Sequence, residues 1–134
     1  MLRYAVDAAA IGAVTADDLA PFFEGWPVPP SPDRRLAALR GADHVVLALD
    51  DERLVGFATA LSDGVLMSSL SLLEVVPGHR GRGIGTELVR LIRDAGVGVY
   101  GLDVVCDEDV VGFYERAGFH HVDGMVLRDR AALP

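Results

Sequence analysis

Residues 69–95 constrain this chain more than any other stretch, because an apolar run, a glycine-rich turn and an amphipathic segment follow one another without a gap. Leu70, Leu72, Leu73, Val75 and Val76 form a run too short for a confident helix, β-branched at its end and closed by Pro77-Gly78, which reads as a strand. Alternation holds through Ser69-Leu70-Ser71-Leu72 and breaks at Leu72-Leu73. The break implies either burial on both faces or a bulge that splays the backbone and leaves amides unpaired. Beyond Pro77, Ile84, Leu88, Leu91, Ile92 and Ala95 recur at helical spacing, with Glu87, Arg90, Arg93 and Asp94 on the other side, so a helix starts near Gly83.

Between them lies Arg80-Gly81-Arg82-Gly83-Ile84-Gly85-Thr86. Glycines let main chain approach a ligand closely, first-turn amides lack helical partners, and the helix dipole places about half a positive charge at that end. A phosphate or pyrophosphate fits such a turn, and Arg80 and Arg82 add charge-assisted donors for the same oxygens. Two other phosphate loops are excluded by spacing. The dinucleotide fingerprint beginning at Gly81 needs glycine where Thr86 stands, and the triphosphate loop needs a Gly-Lys-Ser/Thr sequence that is absent.

The pattern Arg80-x-x-Gly83-x-Gly85 resembles the pyrophosphate loop of the GNAT superfamily of N-acetyltransferases. The resemblance reaches back through Leu73-Glu74-Val75-Val76-Pro77 and forward to residues 107–119, where Phe113-Tyr114-Glu115-Arg116-Ala117-Gly118-Phe119 is similar to the family's Phe-Tyr-x-x-x-Gly-Phe element. It implies a mixed α/β sheet with a splayed fourth strand flanked by helices, the acyl-CoA N-acyltransferase fold, over one domain spanning residues 1–134. It also implies direct transfer of an acetyl group from acetyl-CoA to an amine of a small molecule or peptide. The alternative is a catalytically silent module of the same fold that binds acyl-CoA for sensing or assembly.

Site residues follow from the same likeness. The main chain of Val75 and Val76 is expected to meet the pantetheine arm as an added strand would, and the loop from Arg80 to Thr86 to hold the pyrophosphate. Tyr114 matches the position from which several members protonate the coenzyme sulfur; its other reading is helix packing beside the cofactor. Many members carry asparagine where Asp107 stands, which leaves Asp107 the role of a helix cap.

Glu74 is the one acid in an apolar strand segment, and an unpaired buried charge is costly, so it is a candidate general base as well as a structural hydrogen-bonding group. Ser69 and Ser71 are weaker candidates. Phe22 and Phe23 have the helical spacing of core residues, whereas Trp26, beside Pro27-Val28-Pro29-Pro30, lies outside that pattern and either stacks on an acceptor amine or anchors the loop. His120 and His121 are adjacent, so a strand would turn them to opposite faces, and no metal site is expected. The histidines found on the central strand of arylalkylamine-type members are leucines here, Leu70 and Leu72, so that substrate does not transfer.

A net charge of −8 argues against nucleic acid as a partner. No apolar run of about 18 residues and no signal-peptide pattern is present, giving the expectation of a cytoplasmic protein without membrane contact. Cys106, the single cysteine, sits beside Val104 and Val105 and is expected in the core. The family often pairs, so a homodimer is compatible with the likeness.

The remaining elements read in order as a strand from Leu2, a helix capped by Thr15 running to Phe23, and a second helix from Asp33 to Arg40 behind Ser31-Pro32. Strands follow at 45–49, at 54–61 and from about Val65, then after the central helix at 97–105, with a final strand pair from Gly118 to about Leu127.

Overall fold

The computed structural model describes residues 1–134. Five strands form one sheet in the order β1 (Leu2–Val6), β2 (His44–Asp50), β3 (Arg53–Ser62), β4 (Met67–Val75) and β5 (Gly101–Val104). The first four run antiparallel and β5 joins β4 in parallel, giving the expected mixed sheet with helices on its faces. The helices are α1 (Ala8–Ala13), α2 (Pro32–Gly41), α3 (Ile84–Ala95) and α4 (Val111–Arg116). None is long and apolar enough to cross a membrane.

The central strands are almost wholly apolar and buried on both faces, as a sheet covered on each side requires. Gly56 is what lets α3 lie against β3: a Cβ there would stand 3.2 Å from Leu88 Cδ1 and 3.4 Å from Ile84 Cγ2. Position 56 therefore faces α3. By strand alternation Phe57 faces the opposite side, where it meets Phe22 edge-on and Phe23 in a stack, with ring centroids 5.1 and 6.1 Å away.

Five sequence expectations are corrected. Thr15 and Asp18 do form a reciprocal cap, the Thr15 amide donating to Asp18 Oδ2 over 2.8 Å. Only a 3-10 turn follows, Asp17–Leu19, because Pro21 lacks an amide and blocks propagation; the first true helix is the alanine-rich α1. β4 begins at Met67, since Asp63 Oδ1 accepts from the amides of Val65, Leu66 and Met67 and prolongs the turn. β5 is confined to four residues because Gly98, at φ 99°, bends the chain that leads into it. Cys106 is exposed, lying past the end of β5 beside an equally exposed Val105. The final strand pair does not form: residues 120–128 make no main-chain hydrogen bond within the chain, and Val122, Met125 and Leu127 are exposed.

Candidate active site

β4 and β5 pair only from Met67↔Gly101 to Leu70↔Val104. β5 ends there and β4 continues to Val75, so the two strands part like a fork. The parting coincides with a bulge at Ser71, between the pairs Ala60↔Leu70 and Thr59↔Leu72. Ser71 Oγ pairs with Thr59 Oγ1 at 2.8 Å and donates to the Thr59 carbonyl at 3.2 Å, replacing ladder bonds that the bulge interrupts.

Main-chain directions along the fork follow from one bond. The Val76 amide donates to the Val55 carbonyl at 2.9 Å, which turns Val76 and, two residues earlier, Glu74 toward β3. Leu73 and Val75 consequently present their N–H and C=O groups to the open edge. The Val75 carbonyl accepts from Arg80 Nε at 2.9 Å, leaving its amide free. Val76 departs from expectation: its carbonyl also accepts, from the His79 amide at 3.0 Å, so both of its main-chain groups are engaged within the chain. The open edge therefore includes Leu73, which the sequence reading did not single out, although the broken alternation at Leu72-Leu73 falls there.

Past the fork a 3-10 turn, Pro77–His79, delivers Arg80 to the loop. Gly81 and Gly83 have φ of 77° and 81°, the left-handed region in which side-chain-bearing residues are strained, and a Cβ on either would meet nothing within 4 Å. The first α3 amide with a helical partner is that of Glu87, bonded to the Gly83 carbonyl. No amide from Gly81 through Thr86 donates within the chain, so six consecutive N–H groups are available at the positive end of a twelve-residue helix. Arg80 and Arg82 are exposed and neither is paired with a carboxylate.

Two loop positions have a second task. The Ile84 side chain is 1% exposed in the core, leaving only its amide to a ligand. A Cβ on Gly85 would lie 3.4 Å from the Phe113 ring, so glycine there allows α4 to pack beside the start of α3. That contact brings the next residue, Tyr114, to the same end of the molecule as the loop.

Tyr114 is 9% exposed, edge-on to both Phe113 and Phe119, with centroids 5.0 and 5.4 Å away. Its ring lines a groove of about 890 Å³ that runs along β5. The hydroxyl makes no hydrogen bond within the chain, and burial pushes its pKa up to about 12. It therefore stays protonated at any working pH. Asp107 precedes the 3-10 turn Glu108–Val110 but makes no side-chain capping bond.

Glu74 shares the Phe57 face of the sheet, away from α3. Its Oε1 accepts the Phe23 amide at 2.8 Å, while Oε2 is buried with no partner, the one side-chain polar atom in the chain so placed. Burial raises the carboxyl above the usual range, opposed by the Phe23 amide and by Arg35 and Arg80. Trp26 is half-buried with its ring 5.0 Å from that of Phe23, and Phe22 and Phe23 are in the core. Ser69 lies within the paired part of β4, below the fork. His44 pairs with Asp7 and His79 with Asp50, and no group of three or more His, Cys, Asp or Glu side chains is placed to hold a metal ion.

A fork between parallel strands is thus followed directly by a glycine-rich loop at a helix start. The chain belongs to the Acetyltransferase (GNAT) family, whose family model matches residues 11–119. The structure of a "putative acetyltransferase" from Deinococcus radiodurans R1 is 41% identical and superposes with a TM-score of 0.88 over 95% of this chain and 87% of that one. Among curated relatives, Histone acetyltransferase TAP1 of Glycine max is 30% identical over 113 residues, 71% of this chain and 46% of the relative. The chain spans less than half the length of the curated relatives it matches. AAC(6')-Iy, solved with the bisubstrate analog CoA-S-monomethyl-acetylneamine, shares the fold at 16% identity, with a TM-score of 0.70 over 97% of this chain and 98% of that one.

Proposed function

We propose that this protein is an N-acetyltransferase that moves an acetyl group directly from acetyl-CoA to the amine of a small molecule or peptide. The observation that carries the reading is the run of six undonated amides from Gly81 to Thr86, set immediately after an unpaired strand edge. A pyrophosphate matches the first feature and the amide-bearing pantetheine arm the second. Leu73 and Val75 supply main-chain groups along the arm, and Arg80 and Arg82 supply cations for the phosphates.

In the reaction an amine nitrogen attacks the thioester carbonyl carbon, forming the C–N bond as the C–S bond breaks. An alkyl ammonium titrates near ~10, so the nitrogen must give up a proton. The unpartnered Oε2 of Glu74 is the acceptor for that proton, directly or through a water, and its raised pKa brings it closer to a working base. The open-edge amides of the fork are donors for the oxygen that gains charge. Tyr114, neutral because its pKa is about 12, donates a hydrogen bond to the departing thiolate. So weak an acid stabilises the sulfur as a hydrogen-bond donor, and the departing thiolate takes its proton from solvent.

Glu74 and Val75 point to opposite faces of β4, which separates the acceptor side, beneath Phe23 and Trp26, from the side covered by α3. The printed names, a histone acetyltransferase and AAC(6')-Iy with its bisubstrate analog CoA-S-monomethyl-acetylneamine, belong to proteins with unlike acceptors, and the reading commits only to an amine.

Calorimetric titration with acetyl-CoA tests the reading. Saturable binding that weakens at least tenfold in Gly83→Val, followed by turnover in an amine screen, is the expected result. Binding without turnover on any amine would favour a silent acyl-CoA-binding module, and no binding up to millimolar acetyl-CoA by the folded protein would overturn the acetyltransferase assignment.

A further inference from the structure

Arg35, on α2, is half-buried and has no carboxylate partner. Its guanidinium is spent on main-chain carbonyls. Nε donates to Pro30 at 2.8 Å, and Nη1 is shared among Leu19, Ala20 and Phe22 at 2.9, 3.2 and 3.3 Å. The guanidinium carbon also lies 5.1 Å from the centre of the Phe23 ring. One side chain thus ties residues 19–22 to Pro30 within the proline-containing segment between α1 and α2.

One residue within that segment is strained. Phe23 has φ of 65°, a left-handed conformation that a bulky side chain adopts only when its surroundings impose it. In that conformation its amide reaches Glu74 Oε1 at 2.8 Å. The Leu19, Ala20 and Phe22 carbonyls before Phe23 are fixed by Arg35, and the Phe23 ring is held between Arg35, Trp26 and Phe57.

We propose that Arg35 is a positioning residue for Glu74: it fixes the 19–23 segment so that the strained Phe23 amide holds one carboxylate oxygen and the other is left free to face the acceptor amine. The inference rests on the reading of Glu74 as the base. Arginine suits the task because its planar donor fork spans several carbonyls at once, which a lysine ammonium does not. The charged groups facing Glu74 are Arg35 from α2 and Arg80 from the loop after β4.

The test follows the Phe23 amide by ¹H–¹⁵N NMR across a pH titration of the full chain. In the parent protein that amide shifts with the ionisation of Glu74, and Glu74→Gln abolishes the shift. In Arg35→Ala the Phe23 amide should no longer follow Glu74, and kcat should fall on the order of 10²-fold, as misplacement of a reacting group by about 1 Å does. Acetyl-CoA affinity should be unchanged in the same variant. Arg35→Lys, which keeps the charge and most of the packing, should lose the coupling as well and stands in if the alanine variant does not fold. A Phe23 amide that still follows Glu74 in either variant overturns the proposal. If coupling is lost but kcat holds, the positioning role stands and Glu74 is not the base.

Discussion

A Cβ on Gly56 would stand 3.1 Å from the Glu74 carbonyl oxygen and 3.2 Å from Leu88 Cδ1, so the absence of a side chain at one position of β3 sets how closely α3 approaches the sheet. The helix carries the glycine-rich loop at its N-terminus, and the approach therefore fixes where the free amides stand relative to the fork.

Gly56→Val should cost about 1–3 kcal/mol, the usual penalty for overpacking a filled core. Urea unfolding measures it. Because α3 must move outward as a body, acetyl-CoA affinity should fall as well, even though Gly56 lies beneath the helix and away from the open loop. An unchanged unfolding midpoint would mean that Leu88 and Ile84 can retreat on their own.

The two loop arginines should separate experimentally. Arg82 is exposed and unpaired, so Arg82→Ala should weaken acetyl-CoA two- to fivefold, the range of an exposed ion pair of about 0.5–1 kcal/mol, with the difference shrinking as salt is added. Arg80 also donates to the Val75 carbonyl, and Arg80→Ala should cost more because it frees a carbonyl on the fork. A short acetyl thioester without the pyrophosphate distinguishes the two roles: its turnover should be insensitive to Arg82→Ala and sensitive to Arg80→Ala.

The strand, loop and helix at residues 69–95 were legible in the sequence because each has a local cause: apolar run, glycine spacing, helical period. Even the fork left a trace at Leu72-Leu73. What escaped depended on contacts distant in sequence. Nothing near Glu74 announces that its oxygen meets the Phe23 amide, and nothing in Arg35 announces four carbonyls from another segment. Pro21 stands in the sequence two residues past the 3-10 turn, and its missing amide is what the Thr15 cap cannot overcome. After Gly118 the strand-like pattern supplies no partner of its own, and a two-stranded unit alone is marginal in water.

Tyr114→Phe removes only the hydroxyl, from a ring whose aromatic contacts are otherwise retained. Acetyl-CoA affinity should be nearly unchanged and kcat should fall on the order of 10²-fold, the lower end for a lost acid–base group. With the phenol at about 12, no basic limb in the pH profile below about pH 11 should be attributable to it. A phenolate absorbance step near 12 that vanishes in the variant locates the group, and unchanged turnover would remove it from the mechanism.

Glu74→Gln should lower activity and raise stability at once. The carboxyl is raised by burial, so the folded chain binds its proton more tightly than the unfolded chain does. Its contribution to stability is complete below the ordinary glutamate value and is lost as pH rises through the raised folded value, because there an ionised carboxylate with a buried, unpartnered oxygen must be retained. A neutral amide of the same shape keeps the acceptor for the Phe23 amide and carries no charge. The melting temperature of the variant should exceed that of the parent at about pH 7.5, and the gap should close as pH falls below about 4.3. Turnover at neutral pH should drop by about 10²–10⁴-fold, with acetyl-CoA binding intact. Thermal melts across pH, read beside the pH profile of kcat, check both halves: equal melting temperatures at neutral pH would mean that solvent already reaches Oε2, and retained turnover would assign the proton to another group.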